Sequence, residues 1–237
     1  MIQIPEYFEQ IRSKARENWE LLEASPDLAG PWRRLFQQVQ SPRHVLSELL
    51  QNADDSEATW ASAKVFDNVF TFEHNGRDFT SDEFASLCRF GYSNKRALHT
   101  IGFRGVGFKS TFSLGDEILL STPSLAVKFN KKRFTEPIWS NQAGNSQHTV
   151  IQVILTHQGI KKELEKNLSE WLTSSDSLLF FRNIRSLQVN DTELKWLDIG
   201  PGPCPDSRWL KLAGTDKQCL LVRSQQEPFP ADALEEI

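Results

Sequence analysis

The sequence predicts an α+β fold: a mixed, mostly antiparallel β-sheet covered on one face by helices, forming a two-layer sandwich. Apolar residues recur at helical spacing through the first fifty-five positions, and runs of β-forming residues bounded by turn signals follow from residue 58 onward. Helical and strand-like segments then alternate irregularly, as expected of a sheet with helices laid against it rather than of a regular βαβ array. With 39% hydrophobic and 24% charged residues, the 237-residue chain can close one large core, or one core and a small satellite.

Composition also excludes several classes. No run approaches the ~18 apolar residues of a membrane span, and the start MIQIPEYFEQ lacks the basic-then-apolar profile of a secretory signal, so a cytoplasmic location without membrane contact is expected. Cys88, Cys204 and Cys219 are far apart and form no Cys-x-x-Cys pair, which argues against a disulfide framework or a zinc site. A net charge of −4 gives no whole-chain footprint for nucleic acid.

Taken in order, residues 5–24 and 31–40 read as two helices, separated by Ser25-Pro26 and Gly30-Pro31. A third helix is expected over 41–55, with Pro42 in its first turn and Val45, Leu46, Leu49, Leu50 and Ala53 in one stripe. Residues 58–66 and 69–74 read as a hairpin turning at Asp67-Asn68. Thr80 then starts a helix, with Glu83 as its capping-box partner and Gly91 as its stop. A polar, Gly-rich loop over 92–105 leads to a short helix ending near Gly115. Strands follow at 117–121, 125–129 and 149–155, a helix at 161–172, and strands near 186–189 and 219–222. The stretch 198–218, with Pro201, Pro203 and Pro205, reads as an irregular connection. Lys128, Lys131, Lys132 and Arg133 read as a solvated turn, and the seven Trp and sixteen Phe as core, because they do not alternate with basic residues. PADALEEI at the end looks like the start of a further helix, so the chain is expected to be an N-terminal piece of a longer protein. The expected division is a domain over 1–190 and a β-rich segment or linker over 191–237.

Three elements carry chemistry. In the 41–55 helix Glu48, Asn52 and Asp55 stand at i, i+4 and i+7 and share one face beside the apolar stripe. A carboxylate beside a polarised water can act as general base, and an Asn oxygen suits Mg²⁺. Alone, this pattern is usually a solvated helix face. The second element is Phe72-Glu73-His74-Asn75-Gly76, where a strand ends in polar residues and a glycine that lets backbone approach a flat ligand. The third runs from Ile101 to Ser110, with Gly102, Gly105 and Gly107 ahead of a helix whose N–H groups can hold phosphate oxygens. It is not a Walker loop, since Phe108 stands where the Lys would be, nor a dinucleotide fingerprint, whose glycines fall in the opposite order.

In this order and at these separations the three elements resemble the nucleotide site of the ATPase superfamily of gyrase, heat-shock chaperones, histidine kinases and MutL, known as GHKL. The string from Glu48 to Asp55, ELLQNADD, is most similar to its sacsin-like N-terminal domains. Ile101-Gly102-x-x-Gly105-x-Gly107-Phe108 resembles the chaperone lid-to-helix motif, and Gly102-Phe103-Arg104-Gly105 is similar to that of MutL. Gly91-Tyr92-Ser93-Asn94-Lys95 looks like the segment opening the lid, and Thr149 sits where the family has its adenine-side Thr. The likeness covers about residues 40–190.

The resemblance implies a Bergerat-type nucleotide-binding fold and a Mg²⁺-dependent ATPase that changes arrangement with ATP or ADP bound. Glu48 would be the general base, Asn52 the Mg²⁺ ligand, and Asp55 an adenine-side or supporting polar group. Gly76 would close the base pocket. Gly102, Gly105 and Gly107, with Val106 and Phe108, would bring backbone to the phosphates, while Lys95, Arg104 or Lys109 adds charge. The family's adenine-reading Asp falls on His74, with Asn75 beside it. A neutral imidazole or an Asn oxygen can accept one hydrogen bond, and the other reading of His74 is a satisfied strand-end histidine. Expected partners are ATP or ADP, later domains of the same chain and a second copy in a homodimer. The alternatives are a non-hydrolysing nucleotide-binding regulator, against which Glu48 argues; a histidine kinase, which normally lacks that Glu; and the ATP gate of a nucleic-acid-processing or defence protein.

Overall fold

A computed structural model describes residues 3–25, 42–89, 107–140 and 146–223. The expected helix at 31–40, the loop containing Lys95, Gly102, Arg104, Gly105 and Val106, and the C-terminal PADALEEI lie outside the described residues. The chain divides into two compact units, residues 1–194 and 195–237. The fold is α+β, with strands in mixed, mostly antiparallel pairing.

The first unit opens with helix α1 (Glu6–Ala24), which buries Phe8, Ala15 and Trp19 along one face. A 3-10 turn (Pro42–His44) feeds α2 (Val45–Asp55), and a tight turn at Ser56 leads to β1 (Trp60–Phe66) and β2 (Val69–His74). Asp67 takes a positive φ of 51° at the hairpin, a conformation that short polar side chains tolerate. Helix α3 (Ser81–Leu87) begins with the full capping box: the Glu83 N–H donates to Thr80 Oγ1 at 3.2 Å, and the Thr80 N–H donates to Glu83 Oε2 at 2.9 Å. Next come β3 (Glu117–Ser121), β4 (Ala126–Asn130), β5 (Arg133–Trp139), β6 (Thr149–Ile154), α4 (Gln158–Thr173), a 3-10 turn (Ser175–Phe180) and β7 (Ser186–Val189).

The strand order in this unit is β7-β1-β2-β6-β3-β4-β5; β7 and β1 run parallel, and every other neighbouring pair is antiparallel. Registry makes the two faces unequal. Phe72 lies opposite Ile151, which lies opposite Leu120, and Phe70, Val153 and Ile118 form the next row; all six are buried. Removing a ring such as Phe70 or Phe72 from this layer costs about 3–5 kcal/mol. The opposite face leaves Phe66 and Ile154 exposed, so burial is one-sided, as expected for a two-layer sandwich.

Strand β5 was not legible in the sequence. Pro137 argues against a central strand, but β5 is the last strand in the order, where a missing N–H costs no ladder bond on its outer side. Helix α1 packs on it: Trp19 Nε1 donates to Thr135 Oγ1 at 2.8 Å, Arg16 pairs with Glu136 at 2.9 Å, and Arg133 bridges Glu23 and Glu136. Of the basic cluster, Lys131 and Lys132 do form the turn, while Arg133 begins the strand.

The expectation of an irregular connection over 198–218 is corrected. β8 (Thr192–Pro201) starts at the end of the first unit and continues into the second, where β9 (Ser207–Leu212) pairs antiparallel with both β8 and β10 (Gln218–Val222). The prolines mark a short turn: Pro201 closes β8, and Pro203 and Pro205 fall between strands. Gly202 N–H donates to the Ser207 carbonyl at 2.8 Å to close it. Among the described residues no helix is long and apolar enough to cross a membrane.

Candidate functional site

Helix α2 forms because its apolar residues repeat at three and four positions: Val45, Leu46, Leu49, Leu50 and Ala53 are all buried, the first four at no more than 1% exposure. That fixes its rotation and leaves Glu48, Asn52 and Asp55 half-buried along one flank.

At the N-terminal end of that flank the chain returns as Gly107. A Cβ on Gly107 would collide with Glu48 Oε2, and would stand 3.4 Å from Glu48 Cδ and 3.5 Å from Asn52 Nδ2. A side chain at Gly107 would have to push the Glu48 carboxylate aside, whereas its φ of −55° is open to any residue. Two elements far apart in sequence, the Glu-x-x-x-Asn face and the last glycine of the Gly-rich segment, are thereby in van der Waals contact. The segment after Gly107 is a 3-10 turn (Phe108–Ser113), not an α-helix. Ser110 Oγ donates to the Gly107 carbonyl at 2.6 Å and Thr111 Oγ1 to the Phe108 carbonyl at 2.5 Å, local bonds that compete with α-helical ones. Phe108 inserts into the core against Phe129, ring centroids 5.5 Å apart.

Lys109 is 2% exposed, and its ammonium donates to the Arg89 carbonyl at 2.7 Å, just past the end of α3. Burial lowers its pKa from 10.5 to about 8, partly offset by the neighbouring Cys88, whose own thiol is pushed up by burial.

The other end of the flank meets the second element. The Arg77 N–H donates to the Ser56 carbonyl at 2.8 Å, and a Cβ on Gly76 would collide with the Ser56 hydroxyl, so the strand end is seated on the C-terminus of α2. Asn75 is engaged there: its Oδ1 accepts from the Thr59 and Trp60 N–H groups at 2.9 and 3.1 Å, and its Nδ2 donates to Thr59 Oγ1 at 2.9 Å. It shapes the turn into β1.

His74 behaves differently. It is 6% exposed, its Nδ1 accepts the Gly76 N–H at 3.1 Å, and burial, with a smaller contribution from His148, lowers its pKa from 6.5 to about 4. It is therefore neutral at physiological pH. Directly across the β2–β6 ladder from it stands Thr149, 2% exposed, whose hydroxyl has no hydrogen-bond partner among the described residues. A buried hydroxyl left unpaired costs roughly 1–3 kcal/mol.

Sequence reasoning overlooked Asp54. Its carboxylate is 3% exposed and accepts three backbone N–H groups, from Arg182 (2.9 Å), Asn183 (2.7 Å) and Ile184 (3.1 Å), while Asn183 Nδ2 donates to the Asp54 carbonyl at 3.0 Å. A signal existed: Asp54 follows Leu46 and Leu50 at successive steps of four, which puts it in the buried stripe rather than on the Asp55 flank.

Among the described residues no three His, Cys, Asp or Glu side chains gather into a metal site. No protein-family model matches the chain, and no curated protein matches it.

Proposed function

We propose that this chain is an ATP-binding and ATP-hydrolysing module, and that the groove beside α2 is its nucleotide site. The observation that carries the reading is the seating of Gly107 against Glu48 and Asn52, which places unencumbered backbone beside a carboxylate and an amide. That is the combination that holding phosphates and activating water requires. The unpartnered Thr149 hydroxyl beside neutral His74, at the opposite end of the helix, supports a polar, planar ligand there.

In this reading Glu48 takes the proton from the attacking water, and Asn52 offers its oxygen to Mg²⁺. The metal supplies charge neutralisation at the phosphates. Gly107 lets the Glu48 carboxylate lie against the backbone because it has no side chain. His74 and Thr149 orient the base, and Asp55 lies on the same flank of the helix between the two ends. A lid formed by the segment with Lys95, Gly102, Arg104, Gly105 and Val106, docking on later domains of a longer chain and homodimerisation complete the proposal.

Calorimetry with Mg²⁺-ATP and Mg²⁺-ADP tests it: binding by the folded chain is expected, and no binding at millimolar concentration sinks it. Glu48→Ala should keep ATP affinity within a few-fold and lose roughly 10²–10⁴ of turnover in phosphate release, as for a missing general base. Asn52→Ala should weaken Mg²⁺-ATP binding itself. If Glu48→Ala hydrolyses at the parental rate, the non-hydrolysing regulator becomes the better reading.

A further inference from the structure

His74 and Thr149 are a cross-strand pair on the covered face of the sheet, a position that brings Cβ atoms to within about 5 Å of each other. Both are more than nine-tenths buried. Because His74 Nδ1 accepts the Gly76 N–H, the proton of the neutral ring is on Nε2, which makes that atom a fixed donor. Thr149 Oγ1 makes no hydrogen bond among the described residues, and the Gly76 N–H donated to Nδ1 is the hydrogen bond described for the His74 ring. The surroundings are aromatic: the Phe72 ring lies 5.9 Å from the His74 ring, and His148 packs edge-on against Trp60 at 5.2 Å. The sheet thus offers a flat ligand one obligate donor and, next to it, one hydroxyl that either donates or accepts.

Resting on the nucleotide-site reading above, we infer that this pair reads purines permissively, accepting 6-amino and 6-keto bases alike. With a 6-amino purine, the imidazole N–H donates to ring N1 and the 6-amino group donates to Thr149 Oγ1. With a 6-keto purine, turned over so that N1 and the 6-position exchange places, the imidazole N–H donates to O6 and ring N1–H donates to Thr149 Oγ1. The histidine keeps one tautomer throughout, and the hydroxyl accepts in both poses. A carboxylate at position 74 could only accept, so the bond donated to ring N1 or to O6 would be lost in either pose. His74 is therefore the residue on which acceptance of both bases depends, and Thr149 the partner common to both.

Equilibrium binding of Mg²⁺-ATP and Mg²⁺-ITP to the chain decides the matter, since inosine differs from adenosine only at the edge in question. Dissociation constants within about tenfold of one another are expected, whereas a site built to hydrogen-bond one pattern rejects the other by orders of magnitude. His74→Asp should weaken both nucleotides by removing the donated bond, and Thr149→Val should weaken both to a similar extent. A parental preference for ATP over ITP of a hundredfold or more overturns the inference and leaves the nucleotide site standing. Binding of neither nucleotide overturns both.

Discussion

Two buried polar groups in the first unit invite comparison: the Asp54 clamp at the end of α2 and the His74–Thr149 pair across β2 and β6. Asp54, His74 and Thr149 are each no more than 6% exposed. In the clamp both carboxylate oxygens are occupied, by three N–H groups of residues 182–184. In the pair, the Thr149 hydroxyl is left without a partner among the described residues. A saturated buried carboxylate holds the architecture, here pinning the turn that starts β7 to the helix bearing Glu48 and Asn52. An unsaturated pair is a cost that folding alone does not recover, and a ligand can.

The comparison can be broken first at the clamp. Asp54→Ala should destabilise the chain by about 2–4 kcal/mol, because it strands three backbone donors at once, that of Ile184 buried, and urea denaturation should show the midpoint shift. A loss below about 1 kcal/mol would mean that the clamp is not structural.

The next effect is smaller and depends on pH. The unfolded chain protonates His74 near pH 6.5 and the folded one only near 4, so between those values unfolding takes up a proton and stability rises with pH. The contribution is fully present above about pH 6.5 and is lost as pH falls toward 4, on the order of 3 kcal/mol in total. Denaturation of the parent and of His74→Gln at pH 7 and pH 4.5 checks it: the parent should lose more stability on acidification. Equal losses would place His74 in water.

The smallest effect sharpens the contrast most. Thr149→Val removes an unpaired hydroxyl without changing volume much, so the ligand-free protein should be neutral or up to about 1 kcal/mol more stable, while nucleotide affinity falls. Opposite signs for stability and binding identify a residue kept for a ligand. A loss of stability would reveal a structural bond to the hydroxyl.

Much of this was legible from the sequence because the signals are local. The capping box of α3 needs only Thr80 and Glu83, the β1–β2 hairpin only Asp67-Asn68 between two β-forming runs, and the face shared by Glu48, Asn52 and Asp55 only the pitch of a helix. The same pitch, applied to Leu46 and Leu50, also separates Asp54 from Asp55. The course of β5 and of β8–β9 was obscured by proline, whose meaning depends on whether a strand is central or at an edge. Only the tertiary structure decided that Gly107 rests on Glu48, that Asp54 receives the 182–184 backbone, and that Thr149 stands opposite His74. Each of these joins residues distant along the chain, and such contacts are set by strand register and by burial of the whole apolar layer, which no local spacing encodes.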